Sequence, residues 1–579
     1  MKRFFFVIIV VLHANFSWGQ ESLLIPKIDS IEISYRSQGV ALDSVDAINI
    51  GKINLRPAAG FAQIHEFNLA QNLFQSPALF TYLPSDKKVN VVRSPLPYLG
   101  FQYAFGQALN QAVDVRYHHF INDSTNIHFR YHRRTSNGII RQSDFILNDI
   151  NLLVHHRKDR WRMMLDAYYG GYDYTENGGI TSVEPLETQG VEFLPVRKPN
   201  AESSVRKVDI DWKNYYDFYR DSSVAHGFKG RLHYELVGRE YIETPTDTLM
   251  DNIFIDSSRT RDQFQTPSIS TGAGYFFSSK LLEIDGTINH RYWRNQNLGR
   301  YRDTTEIFLH SNLRFGFGQF TLRNEFYLNT LGALGEFYNH SSVHYKPLKK
   351  LDIRGQLNFD NRLPLPYQRF HFSNHYQWEL EELSTQQILN INGRISYGKK
   401  NAVFAQLDWT SINNGLYFID GDWRQDALNF ITVGALTLGG EYHLNNWHFY
   451  PTATARFNTD NFSYQPIFST RTRIAYKKGY FEKESLILAF GLDVGYDTEY
   501  NHMAYNPIIN VLEPGAPDMI TPGLIRMNAF VNGQIDQLRF FFRAENIDYF
   551  INPQEARMDA NYVIMPFIVR VGITWDFFN

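Results

Sequence analysis

From Leu96 onward the chain is written in one alternation, apolar then polar, repeated in stretch after stretch. In QAVDVRYHHF, Val113, Val115 and Tyr117 oppose Asp114, Arg116 and His118. In NIHFRYHRR, Ile127, Phe129 and Tyr131 oppose His128, Arg130, His132 and Arg134, and KLDIRGQLNFD sets Leu351, Ile353, Leu357 and Phe359 against Asp352, Arg354, Gln356, Asn358 and Asp360. Successive side chains of an extended strand point to opposite faces, so each stretch has one greasy face and one wet face. Strict two-residue periodicity repeated this often leaves little room for helices. The pattern suits a soluble sandwich as well as the wall of a membrane barrel, and the connections have to decide.

The alternation divides the chain from 96 to 577 into about 22 strands, an even number. The links at 157–159, 279, 317, 348, 399, 444, 479–481 and 535 are tiny, and they take turns with longer ones such as 173–205, 239–263, 361–384, 413–429 and 497–521. Long and short links therefore fall on opposite ends of the strands. Outer-membrane barrels show this asymmetry, with short periplasmic turns and long extracellular loops, whereas a soluble propeller or sandwich has no reason to sort its links by parity. The expected fold is all-β: a transmembrane antiparallel up-and-down β-barrel.

Composition agrees. Cysteine is absent, which excludes a disulfide framework, Cys-based zinc sites and a thiol nucleophile. A net charge of -3 gives no sign of nucleic-acid binding. Aromatic residues reach 16%, and Trp161, Trp212, Trp293 and Trp409 are expected in the interfacial girdles. After the first residues no apolar run is long enough for a membrane helix, so any span has to be β.

Three segments are expected. Residues 1–19 read as a cleaved signal peptide, with Lys2 and Arg3 before the apolar run Phe4–Leu12 and a mature start at Gln20. Residues 20–95 lack the alternation and read as a periplasmic or plug-like segment; residues 96–579 form the barrel. The final stretch FIVRVGITWDFFN places Phe567, Val569, Val571, Ile573, Trp575 and Phe577 on one face, as expected for a strand that closes the sheet against the first one. Its aromatic end, Trp575, Phe577 and Phe578, resembles the C-terminal signal read by the barrel-assembly machinery, from which the last residue, Asn579, departs.

From about Asn68 to the end the chain resembles the large putative porin family of outer-membrane β-barrels. The likeness is carried by NLFQSPALF, by PYLGFQYAFGQALNQAVDVRYHHFINDSTNIHFRYHRRTSNGII, by FSNHYQW, and by FFRAENIDYF with VRVGITWDF. It implies a bacterial outer-membrane location and a channel role, and supplies neither a substrate nor functional residues.

A barrel of about 22 strands encloses a lumen wide enough to need plugging. A dedicated plug domain needs more than the roughly 75 residues ahead of the barrel, so residues 20–95 or inward-folded loops are expected to narrow the pore. The candidate pore-lining residues are Asp114, Arg116, His118, His128, Arg130, His132 and Arg134. They form either an electropositive wall that attracts anions or a wall neutralised by acids from elsewhere, since other inward faces, such as Lys207, Asp209, Asp211 and Lys213, are mixed. His118–His119 and His155–His156 are adjacent pairs that point to opposite faces and cannot chelate one metal; His118 with His128 or His132 could do so across strands. No metal or cofactor is expected.

Asp173, Glu176, Glu184, Glu187, Glu192 and Glu202 are either solvated loop acids or a site for divalent cations or lipopolysaccharide. The stretch 497–521, with Pro507, Pro514, Pro517, Ile508, Ile509, Val511 and Leu512, suits a loop packed into the barrel mouth. No protease, P-loop, dinucleotide or G-x-S-x-G motif is present, so no enzyme is expected; a phospholipase-type hydrolase would need a Ser-His-acid set that no motif proposes. The expected function is passive diffusion of small hydrophilic solutes through a narrowed channel. The alternative is a plugged structural barrel that holds other envelope proteins. Expected partners are outer-membrane lipid and lipopolysaccharide, the assembly machinery and small polar solutes.

Overall fold

The computed structural model describes residues 97–579 apart from 123, 182–189, 247–251, 400, 426–429, 459–464, 502–503, 514–519, 552–557, 560–561, 564–565 and 579. The signal peptide and the 20–95 segment expected from the sequence lie outside the described residues.

The alternating stretches form one closed sheet of 22 strands. In chain order they are β1 (Tyr98–Gly106), β2 (Asn110–Asn122), β3 (Thr125–Ser136), β4 (Phe145–Lys158), β5 (Trp161–Glu176), β6 (Ala201–Arg220), β7 (Val224–Glu243) and β8 (Thr260–Ser279). Next come β9 (Leu282–Asn297), β10 (Arg300–Phe317), β11 (Phe320–Leu331), β12 (Phe337–Leu348), β13 (Leu351–Arg362), β14 (Gln386–Gly398) and β15 (Ala402–Asn413). The last seven are β16 (Phe430–Leu444), β17 (Trp447–Asn458), β18 (Phe468–Tyr480), β19 (Leu486–Asp497), β20 (Leu524–Ile535), β21 (Leu538–Glu545) and β22 (Ile568–Phe578). Each strand pairs antiparallel with its neighbour in sequence.

β22 returns to β1, from Tyr98 opposite Phe578 to Gly106 opposite Arg570. Closure matters because an open edge in hydrocarbon would leave a row of backbone N–H and C=O groups unpaired. Val571, Ile573 and Trp575 of β22 point outward and are exposed, as a lipid-facing wall requires, while Arg570 and Asp576 point inward and are buried. Inside, Asp576 accepts hydrogen bonds from Tyr98 Oη at 2.7 Å and Arg539 Nη2 at 2.9 Å, so the seam is held by side chains as well as backbone.

One end of the barrel carries only short links, from 318–319 and 536–537 up to 481–485. Asp159, Asn445 and Asp536 take positive φ there, a conformation that Asp and Asn tolerate better than other side chains. The other end carries the long links, 177–200, 244–259, 363–385, 414–429, 498–523 and 546–567.

β6, β7 and β8 are each 20 residues long. They run past the stretches over which the sequence clearly alternates, 206–217, 225–238 and 264–278, mostly at the long-link end. About 9–11 residues suffice to cross the hydrocarbon, and above it a strand can be polar on both faces, so the alternation fades in Glu202-Ser203-Ser204 while the pairing continues. Asp173, Glu176 and Glu202, expected in a loop, therefore lie in β5 and β6, and Asp173 binds Arg206 at 2.5 Å; Glu184 and Glu187 lie outside the described residues.

Candidate functional site

The first inward faces belong to β2 and β3. Asp114 receives Arg116 Nε at 2.7 Å and Arg130 Nη2 at 2.6 Å, and His132 Nδ1 lies 2.7 Å from Asp149 of β4. His118 and His128 stand opposite each other across the ladder, with ring centroids 5.8 Å apart. Arg134 stands opposite Ala112. Among the described residues no group of three or more His, Asp or Glu could hold a metal ion.

At the long-link end the loops fold together into a cap. Tyr367 and Trp378 from the 363–385 link, Leu416, Phe418 and Trp423 from 414–429, and Ile508, Ile509 and Val511 from 498–523 pack into one buried cluster. Its floor is Ala201, Tyr241 and Phe264, from the long-link ends of β6, β7 and β8. Trp378 sits at the centre. Its ring lies 5.8 Å from Phe418 and 6.2 Å from Trp423, and its Nε1 donates to Tyr367 O at 3.0 Å.

Polar contacts anchor the cap to the wall. Arg239 of β7 donates to the carbonyl of Ile508 at 2.5 Å and to that of Pro507. Glu176 lies 3.7 Å from Arg239 and accepts Tyr505 Oη at 3.1 Å. Asn374 ties in the 244–259 link, its Oδ1 accepting the backbone N–H groups of Ile255 and Asp256 at 3.0 and 2.9 Å. Burial shifts His371 and Glu513 of the cap in opposite directions. His371, stacked on Trp378 at 4.6 Å, has its pKa pushed down to about 3, with the Arg239 charge adding to the effect. The Glu513 carboxyl is pushed up, although a hydrogen bond from Asn506 at 2.6 Å works against the shift.

Beneath the cap lies a cavity of about 840 Å³, lined by inward side chains of β6 to β13 and by residues 363–367 with Arg369. Most of its charges are ion-paired. Lys229 binds Asp285 at 2.5 Å, Arg231 and Lys213 share Asp211 at 2.8 and 2.9 Å, and His233 lies 3.0 Å from Asp209. Across the cavity Glu306 accepts Arg291 Nε at 2.8 Å and Trp293 Nε1 at 2.7 Å, and Glu325 accepts Tyr338 Oη at 2.9 Å with His310 Nε2 at 3.0 Å. Aromatic rings lie between these pairs. Phe308 and Tyr327 are 4.9 Å apart, Tyr327 and Tyr338 are 5.0 Å apart and parallel within 3°, and His340 continues the row at 4.6 Å.

None of the seven residues proposed from β2 and β3 lines this cavity. Lys213, one of the mixed inward residues noted in the sequence, does. Trp293, expected in a girdle, is buried and faces the cavity, because it shares its parity in β9 with Asp285, Asn289 and Arg291. The same parity marks Glu306 and Phe308 in β10 and Glu325 and Tyr327 in β11, so the signal was present in the alternation.

The closed 22-strand antiparallel barrel, lipid-facing outside and polar within, defines an integral protein of the bacterial outer membrane. The chain belongs to the putative porin family, whose model matches residues 49–579. No curated protein matches it. Solved structures share the barrel at low identity. The copper transporter OprC aligns with a TM-score of 0.60 at 10% identity, over 84% of this chain and 82% of that one. The apoprotein form of the FrpB iron transporter from Neisseria meningitidis aligns at 0.57 and 11% identity, over 88% and 83%. The siderophore receptor PirA from Acinetobacter baumannii aligns at 0.57 and 9%, over 84% and 81%. At these identities the likeness is one of fold.

Proposed function

We propose that the protein is a porin-like channel through which small hydrophilic solutes diffuse passively, narrowed at its outer mouth by the loop cap. The observation that carries this reading is the 840 Å³ cavity inside the closed wall, lined by aromatic rings and by side chains that are mostly ion-paired. Such a lining lets water and uncharged polar solutes pass without trapping an ion. The N-terminal leader is read as the export signal and the 20–95 segment as a periplasmic element that further restricts the lumen. The three-loop cap favours a second reading, a plugged barrel that holds envelope partners. Single-channel recording of the refolded chain in a planar bilayer, with the reversal potential under a salt gradient, separates them. Stable steps support the channel; silence from protein confirmed as folded in the membrane overturns it in favour of the plugged barrel.

A further inference from the structure

We infer that the cavity beneath the cap binds a neutral oligosaccharide, whose apolar C–H patches rest on the Phe308–Tyr327–Tyr338 row while its hydroxyls meet the ion pairs beside it. Three properties of the lining select this chemistry. The first is that most of its charges are already engaged. Lys229 is paired with Asp285, Arg231 and Lys213 share Asp211, Arg291 is paired with Glu306 and Arg362 with Asp360, so an ionic ligand would have to compete with bonds already made. The two charged termini of a peptide would compete with the pairs already made.

The second property is that these pairs remain rich in donors and acceptors. An apolar ligand would strip water from them without replacing its hydrogen bonds, which leaves buried polar groups unsatisfied. A hydroxyl both donates and accepts, so it can serve an arginine and a carboxylate in turn. The third is the aromatic row among them, largely buried in the wall at Trp293, Phe308 and Tyr327 and more open at Tyr338. Trp293, Phe308, Tyr327 and Tyr338 come from four consecutive strands, β9 to β12, and Tyr327 stands directly opposite Tyr338 in the ladder. A ligand that alternates hydroxyls with C–H patches matches a wall that alternates ion pairs with rings. The cavity is also of suitable size, within the roughly 300–1,000 Å³ typical of small-molecule sites.

This site supplies the solute class for the channel proposed above, and its occupancy is measured without conduction, so the two readings fail separately. The test is isothermal titration of the full chain, in a detergent without a sugar headgroup, with maltohexaose, cellohexaose and triglycine. One of the hexasaccharides is expected to bind, with an affinity unchanged between about 0.05 and 0.5 M NaCl because no net charge is involved. Tyr327→Ala is expected to weaken that binding about ten-fold. Tyr338→Phe, which keeps the ring and removes only the hydrogen bond to Glu325, guards against misfolding and is expected to weaken it less. The inference is overturned if neither hexasaccharide binds, if triglycine binds more tightly than both, or if Tyr327→Ala folds and binds unchanged. Binding by a protein that conducts no current would leave this inference standing and remove the channel.

Discussion

Acidification is expected to loosen the outer cap through His371. The ring is 6% exposed, stacks on Trp378, and neither of its nitrogens has a hydrogen-bond partner among the described residues. Burial therefore penalises the imidazolium and sets the pKa at about 3, against 6.5 for the exposed ring. The folded-state pKa is depressed, so the neutral buried ring contributes stability that is full above pH 6.5 and is lost as the pH falls toward 3. At about pH 4.5 protonation favours the opened cap over the closed one by roughly 100-fold, or ~2.7 kcal/mol. Glu513 acts in the other direction, because its raised carboxyl favours the closed cap in acid, and a variant is needed to separate them. His371→Phe keeps a ring against Trp378 and removes the titration. Hydrogen exchange of the 504–511 segment, corrected for its intrinsic pH dependence, reads cap opening whether or not the barrel conducts. Protection in the wild type is expected to fall by up to about 100-fold between pH 7 and 4.5, and to change much less in His371→Phe. Equal pH responses in the two proteins would refute the assignment to His371.

The remaining predictions concern the anchor, the wall and the lipid face. Arg239→Met strands Glu176 and the Pro507 and Ile508 carbonyls, and is expected to cost the docked loop about 3–5 kcal/mol, read as lost exchange protection of 504–511 at neutral pH. Asp114→Asn removes the acid shared by Arg116 and Arg130, so the reversal potential under a salt gradient is expected to move toward anion preference; an unmoved potential would mean that this wall does not sense the permeating ion. Ile573→Arg puts a charge on the lipid-facing side of β22 and is expected to lower the unfolding free energy in bilayers by about 2–4 kcal/mol, measured by urea titration, if the residue lies near the midplane.

Strand number, pairing order and the parity of the links were legible in the sequence because each depends on a short-range signal. Val113-Asp114-Val115-Arg116 specifies a strand and its two faces with no knowledge of its neighbours, and a closing link as short as 536–537 leaves no choice of partner. The cavity was legible in principle, since Arg291, Trp293 and Asn295 share one parity, but an aromatic residue of that parity looks the same as a girdle residue until the barrel is closed. The cap was legible only at Pro507, Ile508, Ile509 and Val511, whose apolar character is out of place in an exposed loop. Trp378, Phe418 and Trp423 gave no such signal. Their burial depends on three links 30 to 130 residues apart meeting over one mouth, which no local pattern encodes.

The long strands and the cap are one device. Ala201 and Tyr241 lie in the parts of β6 and β7 that alternation alone did not reveal, and with Phe264, at the start of the alternating part of β8, they form the floor on which the Trp378 cluster rests. Arg239, which holds the 507–508 carbonyls, belongs to the same extension of β7. A barrel trimmed to the thickness of the membrane would lack both the floor and the anchor, and its loops would have only one another to pack against. Extending three neighbouring strands on one side raises a collar there, and the loops from 363–385, 414–429 and 498–523 lean onto it. The cavity lies below that collar, along β6 to β13, and shares Phe264 and Tyr367 with the cap cluster. Movement of the cap therefore changes the roof of the cavity directly, so a solute held on the Tyr327–Tyr338 row and the state of the loops above it are coupled through those two rings.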